Sequence, residues 1–381
     1  MSYKIQEIFN QFYQDYIAKY GLDYHLDKVA RAIMSCKTPD LGVNSSSCED
    51  CGHTDIHYNS CRNRHCPCCQ GLSKEKWIDK RKSEVIDAPY FHVVFTLPEE
   101  LNPLIYTNQN VLYSLLYQAS ADTLFELSKD KKYLGADIGF MSILHTWGQS
   151  LSFHPHLHCI VLGGGLTKDL KFKSSKSDFL FPIRVVSKLF RKKFLTLLKA
   201  LYQKNKLIFA GQSLPYRNSY AFKELLSILY KKEWIPHIKE TFKGAENVIE
   251  YLGRYTHRIA ISNSRIIDVK PEGITFGMKD YKSDSHQNMT LDPVEFIRRF
   301  LMHVLPSGFV KIRHYGILSN RSKKIKLQIC RNLIKRNYPK AQLVGLTTSQ
   351  ILLKLFNFDT SKCPKCGCGN FKPVPTFHNR E

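Results

Sequence analysis

Apolar residues recur at intervals of three and four positions at the start of the chain, first from Ile5 to Ile17 and then from Leu26 to Ile33. This spacing lines one face of a helix, and Gly21 separates the two stretches. The pattern therefore predicts two amphipathic helices that pack on the protein core and lead into a cysteine-rich segment.

Beyond that segment, amphipathic stretches alternate with short runs of β-branched and aromatic residues. We expect helices over residues 72–87, 110–129, 187–205, 219–232, 244–257 and 293–304. We expect strands over residues 91–97, 138–147, 156–162, 259–261, 266–269, 274–278 and 309–315. Because short polar links join several of these strands, the pattern favours an α+β fold with an antiparallel sheet.

The charge balance indicates a polyanionic partner. Lys and Arg number 56 against 33 Asp and Glu, which gives a formal net charge of +23, and nucleic acid is the commonest partner of so basic a chain. No apolar run approaches the length needed to span a bilayer, and residues 1–20 lack the pattern of a signal peptide. We therefore expect a cytoplasmic protein that binds nucleic acid and not a membrane.

Most of the 12 cysteines lie in two clusters, which in a reducing compartment favours zinc over disulfides. In the first cluster, two C-x2-C pairs separated by 14 residues match the spacing of a structural zinc ribbon. The predicted Zn²⁺ ligands are Cys48, Cys51, Cys66 and Cys69. Cys61 and Cys68 are surplus, and either is able to replace a ligand or to help hold a second ion.

Two further parts of the cysteine clusters carry candidate functions. Arg62 and Arg64 lie between the two pairs, where they are placed to contact DNA phosphates or base edges. Three cysteines within residues 363–368 form half of a second ribbon. This half either binds a metal ion together with His378 or is a degenerate knuckle.

Three histidines alternate in a His-Pro-His-Leu-His segment, and this pattern predicts a metal site. Alternate residues of a strand point to the same side of a sheet, so His156 and His158 reach one cation from one face. Imidazole is a competent ligand for divalent metals. Because two ligands leave such a cation under-coordinated, a third is expected. Gln149 is the first candidate, and His145 and His154 are its rivals.

Tyr251 and Tyr255 lie four residues apart in a segment rich in basic side chains. On a helix this spacing puts both phenols on one face, roughly 6 Å apart along the axis. Two such tyrosines are usually packing residues, but Arg254 and Arg258 beside them favour the phenolate form. We therefore predict that the tyrosines are nucleophiles and that the two arginines bind DNA.

These groups together predict strand cleavage and rejoining without ATP. A Mg²⁺ or Mn²⁺ ion at the histidine site polarises the scissile phosphate. Attack by tyrosine stores the cleaved bond as a phosphotyrosine ester, which a 3′ hydroxyl reseals. The sequence contains no Gly-x-x-x-x-Gly-Lys-Ser/Thr phosphate loop, which agrees with strand transfer that needs no nucleotide.

The combined motifs resemble the rolling-circle transposases of the two-tyrosine HUH class, in particular the insertion-sequence-ninety-one type. The resemblance extends along nearly the whole chain. It covers the cysteine-rich segment that ends at Pro67, the strand at residues 91–97, the histidine segment, and residues 250–265 and 293–313.

The resemblance implies an HUH-type antiparallel sheet with flanking helices after an N-terminal helical and zinc-ribbon module. The implied domains are the N-terminal module over residues 1–90, the catalytic domain over 91–320, and a C-terminal helix with a cysteine-rich tail over 321–381. It implies that His156 and His158 hold the catalytic cation. The implied partners are single-stranded DNA at the ends of a mobile element and target DNA, in a bacterial cytoplasm at the nucleoid.

Two other functions fit the same residues. A plasmid or phage replication initiator uses the same nicking chemistry for a different purpose. A non-enzymatic zinc-ribbon protein would bind nucleic acid with histidines and tyrosines that are only structural, and it would cleave no strand whatever metal is supplied.

Overall fold

The structure, a computed structural model, describes residues 4–175, 180–242, 253, 259–280, 285–334 and 340–374. The helices within these residues are α1 (Ile5–Tyr20), α2 (Tyr24–Met34), α3 (Gly71–Lys82), α4 (Asn102–Thr107), α5 (Gln109–Lys129), α6 (Ile183–Gln203), α7 (Ser219–Lys231), α8 (Pro293–Leu301), α9 (Lys323–Ile334) and α10 (Thr348–Phe356). The strands are β1 (Val43–Cys48), β2 (Thr54–Tyr58), β3 (Tyr90–Thr96), β4 (Asp137–Trp147), β5 (Phe153–Leu166), β6 (Phe172–Ser174), β7 (His237–Phe242), β8 (Ile266–Lys270), β9 (Gly273–Asp280), β10 (Ser285–Leu291), β11 (Ile312–Gly316) and β12 (Phe371–Val374).

The chain divides into two compact units. The first contains Met1–Lys80, His257–Val304 and Ala341–Glu381, and the second contains Arg81–Thr256 and Leu305–Lys340. The first unit is therefore assembled from three separate stretches of sequence. Among the described residues, no helix combines the length and the apolar character that a membrane crossing requires.

The first unit begins with the two predicted helices, which are confirmed as α1 and α2. The ring of Phe9 on α1 packs edge-on against Phe300 of α8, with 5.3 Å between ring centroids. Phe296, one turn earlier on α8, packs against Phe276 of β9. The apolar face of α8 thus joins α1 to a three-stranded sheet of order β10-β9-β8, and buried aromatic rings form the core between them.

A second small sheet in this unit has the order β12-β1-β2. β1 and β2 form an antiparallel hairpin, and β12 pairs antiparallel with the other edge of β1, from Ser45 opposite Val374 to Cys48 opposite Phe371. A strand from near the C-terminus therefore completes a sheet that the N-terminal part of the chain begins.

The second unit is built on an antiparallel sheet of order β11-β4-β5-β3-β7, with β6 paired to β5. One face of this sheet packs on helices, and Phe95 of β3 lies against Phe190 of α6 at 4.8 Å between ring centroids. The large core cluster contains residues from α5, α6 and this face of the sheet. Because side chains alternate along a strand, the residues between these core positions point to the other face of the sheet. The expected α+β fold with an antiparallel sheet and flanking helices is confirmed.

The prediction of a strand at residues 259–261 is wrong. Ala260 and Ile261 are buried but form no ladder, and a short 3-10 turn follows at Asn263–Arg265. A short apolar run is compatible with a paired strand and with an unpaired buried segment, so periodicity alone does not separate the two cases. The helix predicted over residues 244–257 lies, except for Gly253, outside the described residues.

Candidate functional site

Two neighbouring strands bring three histidines together on the sheet face opposite α5 and α6. The antiparallel register of β4 and β5 places His145 directly opposite His156, and His158 follows two positions along β5 on the same face. One ring nitrogen from each of the three lies within 4.8 Å of the others. His145 and His158 are buried, with 2% and 8% of their surfaces exposed. The predicted pair is thus joined by a third imidazole.

Hydrogen bonds orient His156 so that one ring nitrogen keeps its lone pair. Its Nδ1–H donates to the carbonyl oxygen of His154 over 2.6 Å, and in the neutral imidazole this leaves Nε2 unprotonated. This Nε2 lies 3.0 Å from Nε2 of His158. A divalent cation bound at about 2.1 Å in octahedral geometry separates adjacent ligand atoms by about 3.0 Å. The spacing of the two nitrogens therefore fits a shared cation.

His92 on β3 orients the second imidazole. Its Nε2 lies 2.8 Å from Nδ1 of His158, and the two rings are nearly parallel. Burial, together with the charges of His237 and His156, lowers the pKa of His92 to about 4. His92 is therefore neutral at neutral pH and able to accept the Nδ1–H of His158, which leaves Nε2 of His158 unprotonated, as a metal ligand requires. Sequence reasoning missed His92 because it lies alone in an apolar strand.

The third ligand position has three candidates from the sequence. Gln149 lies half-buried in the turn between β4 and β5 and stays a predicted ligand. Of its two rivals, His145 belongs to the group of three converging nitrogens. The ring of His154 lies 5.1 Å from that of His156, but His154 is not part of the group. Of the three candidates, His145 is the one whose ring nitrogen lies with those of His156 and His158.

An aromatic and a basic side chain border the histidines. The ring of Trp147 stacks on His145 at 4.7 Å between centroids, and Nζ of Lys311 lies 5.1 Å from the centre of the Trp147 ring. This cation–π contact places the positive charge of Lys311 beside the histidine group. Lys311 is therefore a candidate phosphate contact that no sequence motif indicated.

Tyr251 and Tyr255 lie outside the described residues, as do Arg254 and Arg258. Their roles as nucleophiles and DNA-binding residues stay predictions from the sequence.

Four cysteines of the first unit converge in a group separate from the histidines. They are Cys36, Cys61, Cys66 and Cys69. The Sγ atoms of Cys61 and Cys69 lie 3.7 Å apart, and four thiolates around Zn²⁺ at about 2.3 Å are expected about 3.8 Å from one another. The group has the donor set and spacing of a structural zinc site.

The predicted zinc ligand set is corrected by this arrangement. Cys66 and Cys69 lie in the group just described, whereas Cys48 and Cys51 lie in another group with Cys363 and Cys366. In the structure the two C-x2-C pairs therefore lie in two different groups of thiols. Each pair finds its partners through tertiary contacts, which sequence spacing does not reveal.

Helix packing places Cys36 in its group. The side chain of Gln6 on α1 donates hydrogen bonds to the carbonyl oxygens of Met34 and Cys36, at 2.6 and 2.8 Å. The backbone N–H of Lys37 donates to the carbonyl of Asn59. The end of α2 is thus fixed beside the loop that carries the other three thiols.

Arg62 and Arg64 are exposed on this loop. The loop is held by Asn63, whose side chain accepts the backbone N–H of His65 and whose carbonyl accepts the side-chain N–H of Gln70. The arginines therefore extend from an anchored loop, and their role in DNA binding stays a prediction.

Cys66→Ser should remove one zinc ion per chain, because it deletes a buried ligand of the first group. Cys68→Ser is the matched control. Cys68 lies two residues away but outside the group, and its Sγ accepts a hydrogen bond from Asn263 at 3.6 Å. Zinc content by elemental analysis checks the pair, and equal zinc in both variants would remove Cys66 from the ligand set.

Comparisons with known proteins find matches for both the N-terminal cysteine-rich region and the region that contains the histidines. A family model described as "Putative transposase" matches residues 139–326, and one described as "Transposase zinc-binding domain" matches residues 8–97. The "Putative transposase y4qJ" of Sinorhizobium fredii (strain NBRC 101917 / NGR234) is 44% identical over 339 residues, which cover 88% of this chain and 85% of the relative. The transposase for insertion sequence element IS801 of Pseudomonas savastanoi pv. phaseolicola is 26% identical over 371 residues, which cover 94% of this chain and 86% of the relative. No solved structure matches the chain significantly.

Proposed function

The chain belongs to the insertion-sequence-ninety-one (IS91) type of transposases, and on that premise we propose that it cuts and rejoins single DNA strands through phosphotyrosine intermediates in rolling-circle transposition. The observation that carries the proposal is the convergence of His145, His156 and His158 on one face of an antiparallel sheet. A divalent cation held there would polarise a phosphate, and within the described part of the chain this group contains imidazoles and no carboxylate.

The three imidazoles would hold a Mg²⁺ or Mn²⁺ ion, which supplies Lewis-acid polarisation of the scissile phosphate when it is bound. Nitrogen donors favour Mn²⁺ over Mg²⁺, which prefers oxygen ligands. His92 and the carbonyl of His154 fix the ring orientations of His158 and His156, so the protein prepares the site before DNA arrives.

The tyrosines carry the covalent steps of the proposal. The phenolic oxygen of one tyrosine bonds to the phosphorus, the bond from phosphorus to the 3′ oxygen breaks, and the departing oxygen takes a proton to become a 3′ hydroxyl. A 3′ hydroxyl later attacks the phosphotyrosine and releases the phenol. Tyr251 and Tyr255 act in turn. One cleavage takes place on the element strand and the other on the target strand. Arg254 and Arg258 would favour the phenolate and bind flanking phosphates.

An oligonucleotide assay tests the proposal. A labelled single strand carrying an element end should be nicked with Mn²⁺ or Mg²⁺ and become covalently attached to the protein, and a chelator should prevent both. Mn²⁺ should act at the lower concentration. Binding without any cleavage under all metals would instead identify a zinc-ribbon DNA-binding protein. Cleavage without transfer of the strand to a second DNA would favour a replication initiator.

A further inference from the structure

Two turns far apart in sequence have the same backbone design. In each, a glycine follows a C-x2-C pair and donates its N–H to the carbonyl of the first cysteine: Gly52 to Cys48 over 3.0 Å, and Gly367 to Cys363 over 2.8 Å. Both glycines have a positive φ, +66° and +75°, which side chains other than glycine rarely adopt. Each turn therefore places the two cysteines of its pair on one tight, glycine-closed turn.

Strand pairing brings the two turns together. β12 continues from the second turn and pairs with β1, which leads into the first, so that Cys48 lies opposite Phe371. The backbone N–H of Glu49 donates to the carbonyl of Asn370, and the side chain of Asn370 donates to the carboxylate of Asp50 at 3.0 Å. These contacts fix the two turns face to face within the first unit.

The four thiols then lie at metal-binding distances. Sγ of Cys48 is 3.7 Å from Sγ of Cys366, and Sγ of Cys51 is 3.7 Å from Sγ of Cys363. These separations match the edge of about 3.8 Å expected for four thiolates around tetrahedral Zn²⁺. An all-thiolate tetrahedral donor set is typical of zinc or of iron–sulfur centres, and the family match to a zinc-binding domain favours zinc.

We propose that these four cysteines form a second structural zinc site that fastens the C-terminal segment to the N-terminal hairpin. The family match for a zinc-binding domain ends at residue 97, so it contains two of the four ligands. Cys48 and Cys366 are 318 positions apart. A metal clip that closes so long a loop constrains the unfolded chain strongly.

Cys368 is the spare thiol of this site. Its Sγ lies 3.1 Å from both Cys48 and Cys366, closer than two ligands of one tetrahedral Zn²⁺, whose sulfurs stay about 3.8 Å apart. Its carbonyl accepts the N–H of Cys363 over 2.9 Å and so helps to close the turn. The geometry assigns Cys366 and not Cys368 as the fourth ligand.

Zinc counting on the full chain tests the site. The parent protein should hold two zinc ions per chain, and the double variant Cys363→Ser/Cys366→Ser should hold one. Cys368→Ser is the matched control and should keep two. A parent protein with one zinc ion, or a double variant that keeps two, overturns the proposal.

Thiol reactivity gives a second readout that needs no variant. Cys51 and Cys366 are exposed, so without a metal both should react readily with a maleimide. In the zinc-loaded parent we expect both to react at least ten-fold more slowly than Cys368, and a chelator should remove the difference. Equal rates for all three in the zinc-loaded protein would contradict the site. Neither readout involves DNA, so failure here is separate from failure of the proposed cleavage.

Discussion

The double variant Tyr251→Phe/Tyr255→Phe should form no covalent adduct with single-stranded DNA while binding it with unchanged affinity. The substitution removes both phenolic oxygens and leaves the rings, so it deletes the nucleophiles with little change in packing. We expect the loss to be at least about a thousand-fold, as for removal of a covalent nucleophile in other enzymes. Denaturing gels of a labelled oligonucleotide measure the adduct, and fluorescence anisotropy measures binding.

Tyr230→Phe is the control for this experiment, because Tyr230 is an exposed tyrosine on α7. It should leave the adduct unchanged. Each single variant, Tyr251→Phe or Tyr255→Phe, should still support one of the two transfer steps, and the step that survives identifies the order of action. An adduct that persists in the double variant would place the nucleophile elsewhere in the chain.

His156→Ala should lower the rate of strand cleavage by about 10²–10³-fold, the size of effect seen when one group that stabilises transition-state charge is removed. Single-turnover cleavage at saturating DNA and a range of Mn²⁺ concentrations measures it. His286→Ala, which changes an exposed histidine on β10, should retain the parent rate. Parent-like cleavage by His156→Ala would exclude the histidine group as the metal site.

The same assay distinguishes the two candidates for the third ligand. If His145 binds the cation, His145→Ala should resemble His156→Ala and should need more Mn²⁺, whereas Gln149→Ala should change cleavage only slightly. The reverse order of effects would favour the ligand that the sequence first suggested.

Local patterns in the sequence predicted the features that depend on neighbouring residues. The alternation of His156 and His158 along a strand fixes the face on which they project. The spacing of apolar residues likewise predicted α1 and α2. In contrast, β10 carries mostly exposed polar side chains and offers no alternating signal, so it escaped prediction.

The sequence alone did not predict the features that depend on contacts between residues far apart in the chain. Cys36 joins its group through the packing of α1 on the end of α2, and Cys363 joins Cys51 across 312 positions. C-x2-C spacing identifies pairs of thiols that share a turn, but it does not say which pairs meet. The side-by-side position of β4 and β5 was predictable from their short link, whereas the addition of β3 with His92 on the other side of β5 needed the three-dimensional structure.

The pairing of β1 with β12 also bears on how the protein is synthesised. Cys48 and its strand partner Phe371 are separated by about 320 residues, and at about 5–20 residues per second a ribosome needs roughly 16–65 seconds to add them. During that interval β1 has left the ribosome with one edge unpaired. An unpaired edge is a template for association with other chains, so this edge of β1 stays open to such pairing until β12 has been synthesised.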